Sequence, residues 1–205
     1  MKDYNENRLK NCTKIIAVSK TFPIDKILPL IEYGHTDFGE NKVQEAIEKW
    51  TNIKEKYHSI KLHMIGKLQT NKVKFAINLF DYIHSLDNFK LAKKISDEQQ
   101  KNNKKPKIFI QINIGSESQK SGINSNELNE FYNNCINDLN LDIIGIMCLP
   151  PNDNKGDFYF KKMSELIKII SANELSMGMS NDYLEAFKSG STYLRIGSNI
   201  FGNRN

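Results

Sequence analysis

Lys20 closes the run Lys14-Ile15-Ile16-Ala17-Val18-Ser19, and Thr21-Phe22-Pro23 follows at once. A short β-branched run without alternation reads as a strand buried on both faces. Pro23 stops it, because proline cannot donate to a central ladder. Lys20 therefore falls at the carboxyl end of a buried strand, where its ammonium is partly desolvated. Desolvation lowers a lysine pKa from its ordinary ~10.4 and makes the amine a usable Schiff-base nucleophile. A lysine that snorkels to solvent at a strand end fits the same stretch.

Two turns near the carboxyl end offer an anion site. Met177-Gly178-Met179-Ser180 leaves one strand and runs toward a helix near Asn181-Asp182, with Ser180 expected as its N-cap. Arg195-Ile196-Gly197-Ser198-Asn199 repeats glycine and then hydroxyl at a strand-to-helix turn. Gly197 would let a phosphate approach the backbone, and Ser198 would add a hydroxyl donor. Arg195 alternates with Leu194 and Ile196, so it points to the other side of its strand. An inward arginine needs a ligand or an acceptor such as a barrel carboxylate. His63, which shares parity with Ile65, and His84 also lie on strand-like runs; a hydrogen-bonded core histidine is the commoner role for each. The sequence holds no HExxH, CxxC, P-loop or GxGxxG pattern and no Ser-His-Asp arrangement.

The elements that must position these residues alternate strictly. Strands are expected at 15–18, 35–38, 60–65, 82–86, 107–114, 141–149, 174–177 and 192–196. Helices are expected between them, one opening at Gly39-Glu40-Asn41 and others at 24–33, 69–78, 89–100, 124–137, 158–170 and 182–189. Eight strands alternating with helices favour a single-domain (β/α)8 barrel over an open doubly wound sheet. In such a barrel function sits at the carboxyl ends of the strands, with phosphate often held after the last two. The 205 residues are enough for one such domain, near the short end of the range.

Composition narrows the partners. Hydrophobic content of 39% describes a soluble globular chain, and the net charge of +5 is spread along it without a basic stripe interleaved with aromatics. Nucleic acid is therefore not the natural partner. Cys12, Cys135 and Cys148 form no pair spacing and no metal motif, which suits a reducing cytoplasm. The opening MKDYNENRLK is polar, so neither a signal peptide nor a membrane span is expected.

The stretches AVSKTFP, DFGENKVQEA, HMIGKLQTNK, IHSLDN, IQINIGSESQKSGI, GIMCLPP and LSMGMSNDYLEAFKSGSTYLRIGSNIFGNR run from Ala17 nearly to the last residue. Together they resemble the YggS/PROSC-type pyridoxal phosphate-binding proteins, the vitamin B6 homeostasis family. The resemblance implies the (β/α)8 barrel of the alanine-racemase N-terminal class. It implies a Schiff base between Lys20 and pyridoxal 5′-phosphate, with Ser180, Gly197 and Ser198 on the phosphate. It places Arg195 at the pyridine nitrogen, and Asn41, His63 and Ile65 along the cofactor pocket. Lys42 departs from the family, which usually has an aromatic residue there. The segment before KIIAVSK, expected as a helix, is also shorter than usual.

An arginine at the ring nitrogen stays protonated and donates, so the nitrogen stays unprotonated and the ring is a weak electron sink. The expected role is therefore a carrier of pyridoxal phosphate with no catalytic residues of its own. It would be a cytoplasmic monomer that holds the cofactor and passes it to apo-enzymes. A small amino-acid racemase, needing a barrel tyrosine opposite Lys20, is the first alternative. A Schiff-base aldolase without cofactor is the second.

Overall fold

A computed structural model describes residues 13–117 and 119–202; Cys12 and the expected amino-terminal helix lie outside them. Eight parallel strands close into a barrel in chain order. They are β1 (Lys14–Val18), β2 (Asp37–Glu40), β3 (Lys61–Met64), β4 (Tyr82–Leu86), β5 (Lys107–Ile112), β6 (Asp142–Cys148), β7 (Glu174–Met179) and β8 (Tyr193–Ile196). The ring closes where Lys14 to Ala17 pair with Tyr193 to Ile196.

The intervening helices are α1 (Ile24–Glu32), α2 (Val43–Lys56), α3 (Val73–Leu79), α4 (Phe89–Asn102), α5 (Leu128–Asn133), α6 (Gly156–Leu166) and α7 (Tyr183–Lys188). A last short turn of helix, α8 (Ser198–Phe201), follows β8. None of the described helices is long and apolar enough to cross a membrane.

Period-two alternation divides the apolar residues into two cores. Outward side chains such as Ala17, Phe38, Leu62, Ile83, Ile110, Leu194 and Ile196 pack with helix residues including Ile27, Trp50 and Phe160. Inside the barrel a smaller cluster of Ile16, Tyr82, Phe109, Met147 and Tyr193 fills the bore. Five other inward positions are polar and buried: His63, His84, Gln111, Ser176 and Arg195.

The expected elements survive with shifted ends. β2 starts at Asp37 and runs through Gly39 and Glu40, so the stretch expected to open a helix is strand, and α2 begins only at Val43. The reason is pairing: Gly39 lies between Val18 and His63 in register, which no single-segment reading reveals. The expected helix over 69–78 begins as a 3₁₀ turn, Thr70–Lys72, and the one over 124–137 mixes 3₁₀, α and π turns.

Candidate active site: the carboxyl mouth of the barrel

Lys20 lies two residues past the end of β1 and is half-buried. Its turn is held from outside the barrel. Glu40, at the end of β2 and fully buried, accepts from Ser19 Oγ at 2.8 Å, Lys49 Nζ at 2.9 Å and Trp50 Nε1 at 3.0 Å. Lys49 also donates to the Ser19 carbonyl at 2.9 Å and to Glu45 at 3.1 Å, and Glu45 accepts the Thr21 N–H at 2.6 Å. The Thr21 hydrogen bond, with Lys49 beside it, outweighs burial and holds the Glu45 carboxyl below its ordinary pKa. Thr21 itself has φ of 67°. A β-branched residue in the left-handed region is strained, and strain of that kind persists only where neighbours impose it. α2 therefore sets the direction in which Lys20 leaves β1.

On the far side of the β1–β8 seam, the two carboxyl-end turns meet. Ser180 Oγ accepts the Gly197 N–H at 3.2 Å, and Asn199 Nδ2 donates to the Ser180 carbonyl at 3.2 Å. Ser180 is not the N-cap of the following helix, contrary to expectation. That position falls to Asp182, whose carboxylate accepts the Met179 N–H at 2.6 Å. The extra residues of β7 carry the turn outward, and Ser180 is left facing β8. Gly197 precedes α8, whose first residue, Ser198, is exposed.

Arg195 points into the bore, as its parity predicts, and is 4% exposed. No barrel carboxylate hydrogen-bonds it among the described residues. Nη1 donates to Ser176 Oγ at 2.7 Å and Nη2 to the Cys148 carbonyl at 2.8 Å. Burial lowers its pKa from the ordinary value, partly offset by Cys148 and Asp182.

Asn41 and Ile65 follow β2 and β3 and are half-buried at the same mouth. They are held there by glycine: a Cβ on Gly66 would lie 2.4 Å from the Asn41 carbonyl oxygen, and one on Gly39 would lie 3.0 Å from Ile65 Cδ1. His63 is placed differently from these. It lies within β3, one inward step deeper than Ile65, fully buried, with both ring nitrogens engaged by Asp37 and His84. It belongs to the packing beneath the mouth.

Sequence reasoning did not single out Asp37, Glu40, Lys49, Trp50 or Ser176. Asp37 and Ser176 carried a usable signal: polar residues at the inward parity of apolar strands. The Glu40 cluster carried none, since its members come from three separate segments.

A cleft of about 800 Å³ opens at the opposite end of the barrel, beside Lys61, Tyr82 and Lys107 at the starts of β3, β4 and β5. Several of its lysines are already engaged, Lys54 with Asp81 at 2.6 Å and Lys104 with the Asn78 carbonyl at 2.9 Å. The amino-terminal face of such barrels serves stability, so the carboxyl mouth remains the candidate site. No group of three or more His, Cys, Asp or Glu side chains among the described residues could hold a metal ion.

A parallel eight-stranded barrel with a strand-end lysine and paired glycine–hydroxyl turns defines a class, and comparison with known proteins agrees with it. Residues 3–205 match the family model described as alanine racemase, N-terminal domain. The pyridoxal phosphate homeostasis protein of Haemophilus influenzae is 40% identical, over 98% of this chain and 89% of the relative. That of Aquifex aeolicus is 36% identical over 96% of this chain and 90% of its own. The structure of PipY from Synechococcus elongatus, solved with pyridoxal phosphate bound, superposes with a TM-score of 0.83 at 29% identity, covering 97% of this chain and all of that one. The chain belongs to the alanine racemase N-terminal domain family and, within it, to the pyridoxal phosphate homeostasis proteins.

Proposed function

We propose that this protein binds pyridoxal 5′-phosphate at the carboxyl mouth of its barrel and serves intracellular vitamin B6 homeostasis. The observation that carries the reading is the Ser180–Gly197 hydrogen bond, which joins the two turns into one cradle on the strand that carries the buried Arg195. That donor set fits the group: hydroxyls and backbone amides for a phosphate, a guanidinium for a ring nitrogen and a primary amine for an aldehyde. When bound, the cofactor supplies an aldehyde carbon that takes an amine nitrogen and releases water.

Lys20 provides that amine, and the α2 clamp holds its backbone in place. Ser180, Gly197 and Ser198 bind phosphate oxygens. Asn41 and Ile65 line the ring, and His63 supports the floor beneath it. Arg195 keeps its proton and donates, so it leaves a pyridine nitrogen unprotonated and restrains carbanion chemistry. The tyrosines inside the bore also favour a carrier without turnover. Tyr82 and Tyr193 begin β4 and β8, at the end of the barrel away from Lys20. Tyr193 accepts from Lys14 Nζ at 3.3 Å, and burial beside Tyr82 raises its pKa, which keeps it a neutral phenol. The reading extends to a cytoplasmic monomer of one domain that hands cofactor to apo-enzymes.

The test is the visible absorption spectrum of the purified protein with and without added pyridoxal phosphate, repeated for Lys20→Ala. A band present in the wild type and lost or shifted in the variant supports the assignment. A wild-type protein that stays colourless and takes up no cofactor refutes it. Loss of Cα deuterium exchange from amino acids in the loaded protein separates carrier from racemase, which would exchange.

A further inference from the structure

The polar residues inside the bore join end to end. Asp37 Oδ1 lies 3.1 Å from His63 Nε2, and His63 Nδ1 lies 3.0 Å from His84 Nε2. His84 Nδ1 lies 2.9 Å from Ser176 Oγ, which also accepts Arg195 Nη1 at 2.7 Å. Five residues from β2, β3, β4, β7 and β8 thus form one line across the interior, from the amino-terminal end to beneath the mouth. All but Asp37 are fully buried or nearly so.

The chemistry of the two ends sets the direction of every link. A guanidinium only donates, so Ser176 Oγ accepts from Arg195. The single Ser176 hydroxyl hydrogen is then available to His84 Nδ1, which accepts it. A neutral imidazole accepting at Nδ1 carries its hydrogen on Nε2, and so donates to His63 Nδ1. By the same step His63 donates from Nε2 to the Asp37 carboxylate, which can only accept. Each proton has one place, and no link is used twice.

The reverse arrangement fails on the same geometry. A hydrogen on His84 Nδ1 would leave Ser176 Oγ with two donors and its own hydrogen unplaced. A doubly protonated His84 would add a buried cation beside Arg195, and burial together with the Arg195 charge holds its pKa well below the ordinary value. Burial lowers the His63 pKa against the Asp37 hydrogen bond and charge and the Asp81 charge, which raise it, and Lys14 adds to the lowering.

We propose that Asp37, His63, His84 and Ser176 are positioning residues: a one-way donor chain, both imidazoles neutral and protonated on Nε2, that fixes the guanidinium Arg195 presents to the cofactor. The chain stands on the structure without ligand; its effect on the cofactor rests on the function proposed above.

The experiment has two parts. Imidazole ¹H–¹⁵N correlation spectra of the full-length protein without cofactor read the tautomers directly, with His35 and His58 as internal references. His63 and His84 are expected as neutral Nε2–H forms at about pH 7.5. An Nδ1–H form or a protonated ring at either position overturns the chain. Ser176→Ala removes the donor to His84 Nδ1 while Asp37 still holds both rings as Nε2–H, so the His84 Nδ1 resonance should shift without a change of tautomer, and Ser176→Thr should restore it. In the loaded protein Ser176→Ala should move the pH midpoint of the visible band by about half a unit or more, and Ser176→Thr should return it. An unmoved midpoint with full cofactor occupancy overturns the positioning role. A wild type that binds no cofactor defeats the functional reading instead, and the tautomers still judge the chain.

Discussion

Gly66 has no room for a side chain, because the Asn41 backbone passes 2.4 Å from where its Cβ would be. Gly66→Ala should cost about 1–3 kcal/mol as the backbone shifts, and should move Asn41 out of the mouth. Urea unfolding reads the first effect and cofactor affinity the second; wild-type values for both would mean the loops separate freely. Thiol chemistry tests burial at the same scale. Cys135 and Cys148 are buried, and burial pushes both thiols up to about 12. In a Cys12→Ser background, a thiol-exchange reagent should label neither until the protein unfolds. Rapid labelling of the native variant would show that the layer between strands and helices opens around Cys135 or Cys148. Residue types carried much of this scale: Arg195 was placed inward by parity alone. Ser180 was misjudged as a cap, because serine before Asn-Asp has the same composition whether it caps its own helix or faces the next strand.

The α2 clamp is the element that prepares Lys20. Its centre is a buried carboxylate, Glu40, paired with Lys49 at 2.9 Å and bonded to Ser19 and Trp50. Removing one partner of a buried pair leaves the other uncompensated. Glu40→Ala should therefore lower stability by about 3–5 kcal/mol, with Glu40→Gln falling between it and the wild type. The urea midpoint measures this, and equal stability of all three would show the pair to be dispensable. Because the same contacts hold residues 19–21, the surviving folded Glu40→Gln should also attach cofactor more weakly at Lys20. The existence and order of the elements were legible from apolar runs and their stops. Their ends were not, since β2 extends through Gly39 and Glu40 only because β1 and β3 pair with it.

Across the whole molecule, the bore makes stability depend on pH. Burial lowers the pKa of His63 and, further, of His84, so the folded protein resists protonating either. The unfolded chain takes up those protons below the ordinary histidine value of ~6.5, so acidification favours unfolding. Stability should be flat above about pH 7 and fall below about pH 6.5, by up to about 1.4 kcal/mol per unit for each histidine. Asp37 adds to the loss at still lower pH. Burial opposes its ionisation, but hydrogen bonds from His63 and Thr36 keep its carboxyl below the usual value. Thermal melts across this range provide the measurement, and His63→Gln with His84→Gln should flatten the slope. A protein that grows more stable on acidification would contradict the neutral imidazoles.

Sequence by itself determined the repeat of strand and helix, the strand-end lysine, the glycine–hydroxyl turns and the inward side of Arg195. These are local properties, set by β-branched runs, prolines and a period of two. Tertiary structure alone decided which residues meet. Closure of β1 on β8 brings Lys20 beside the Gly197 turn, and the register of five strands aligns Asp37, His63, His84, Ser176 and Arg195 into one line. Such contacts join residues up to 179 positions apart, and no local pattern records a partner at that distance.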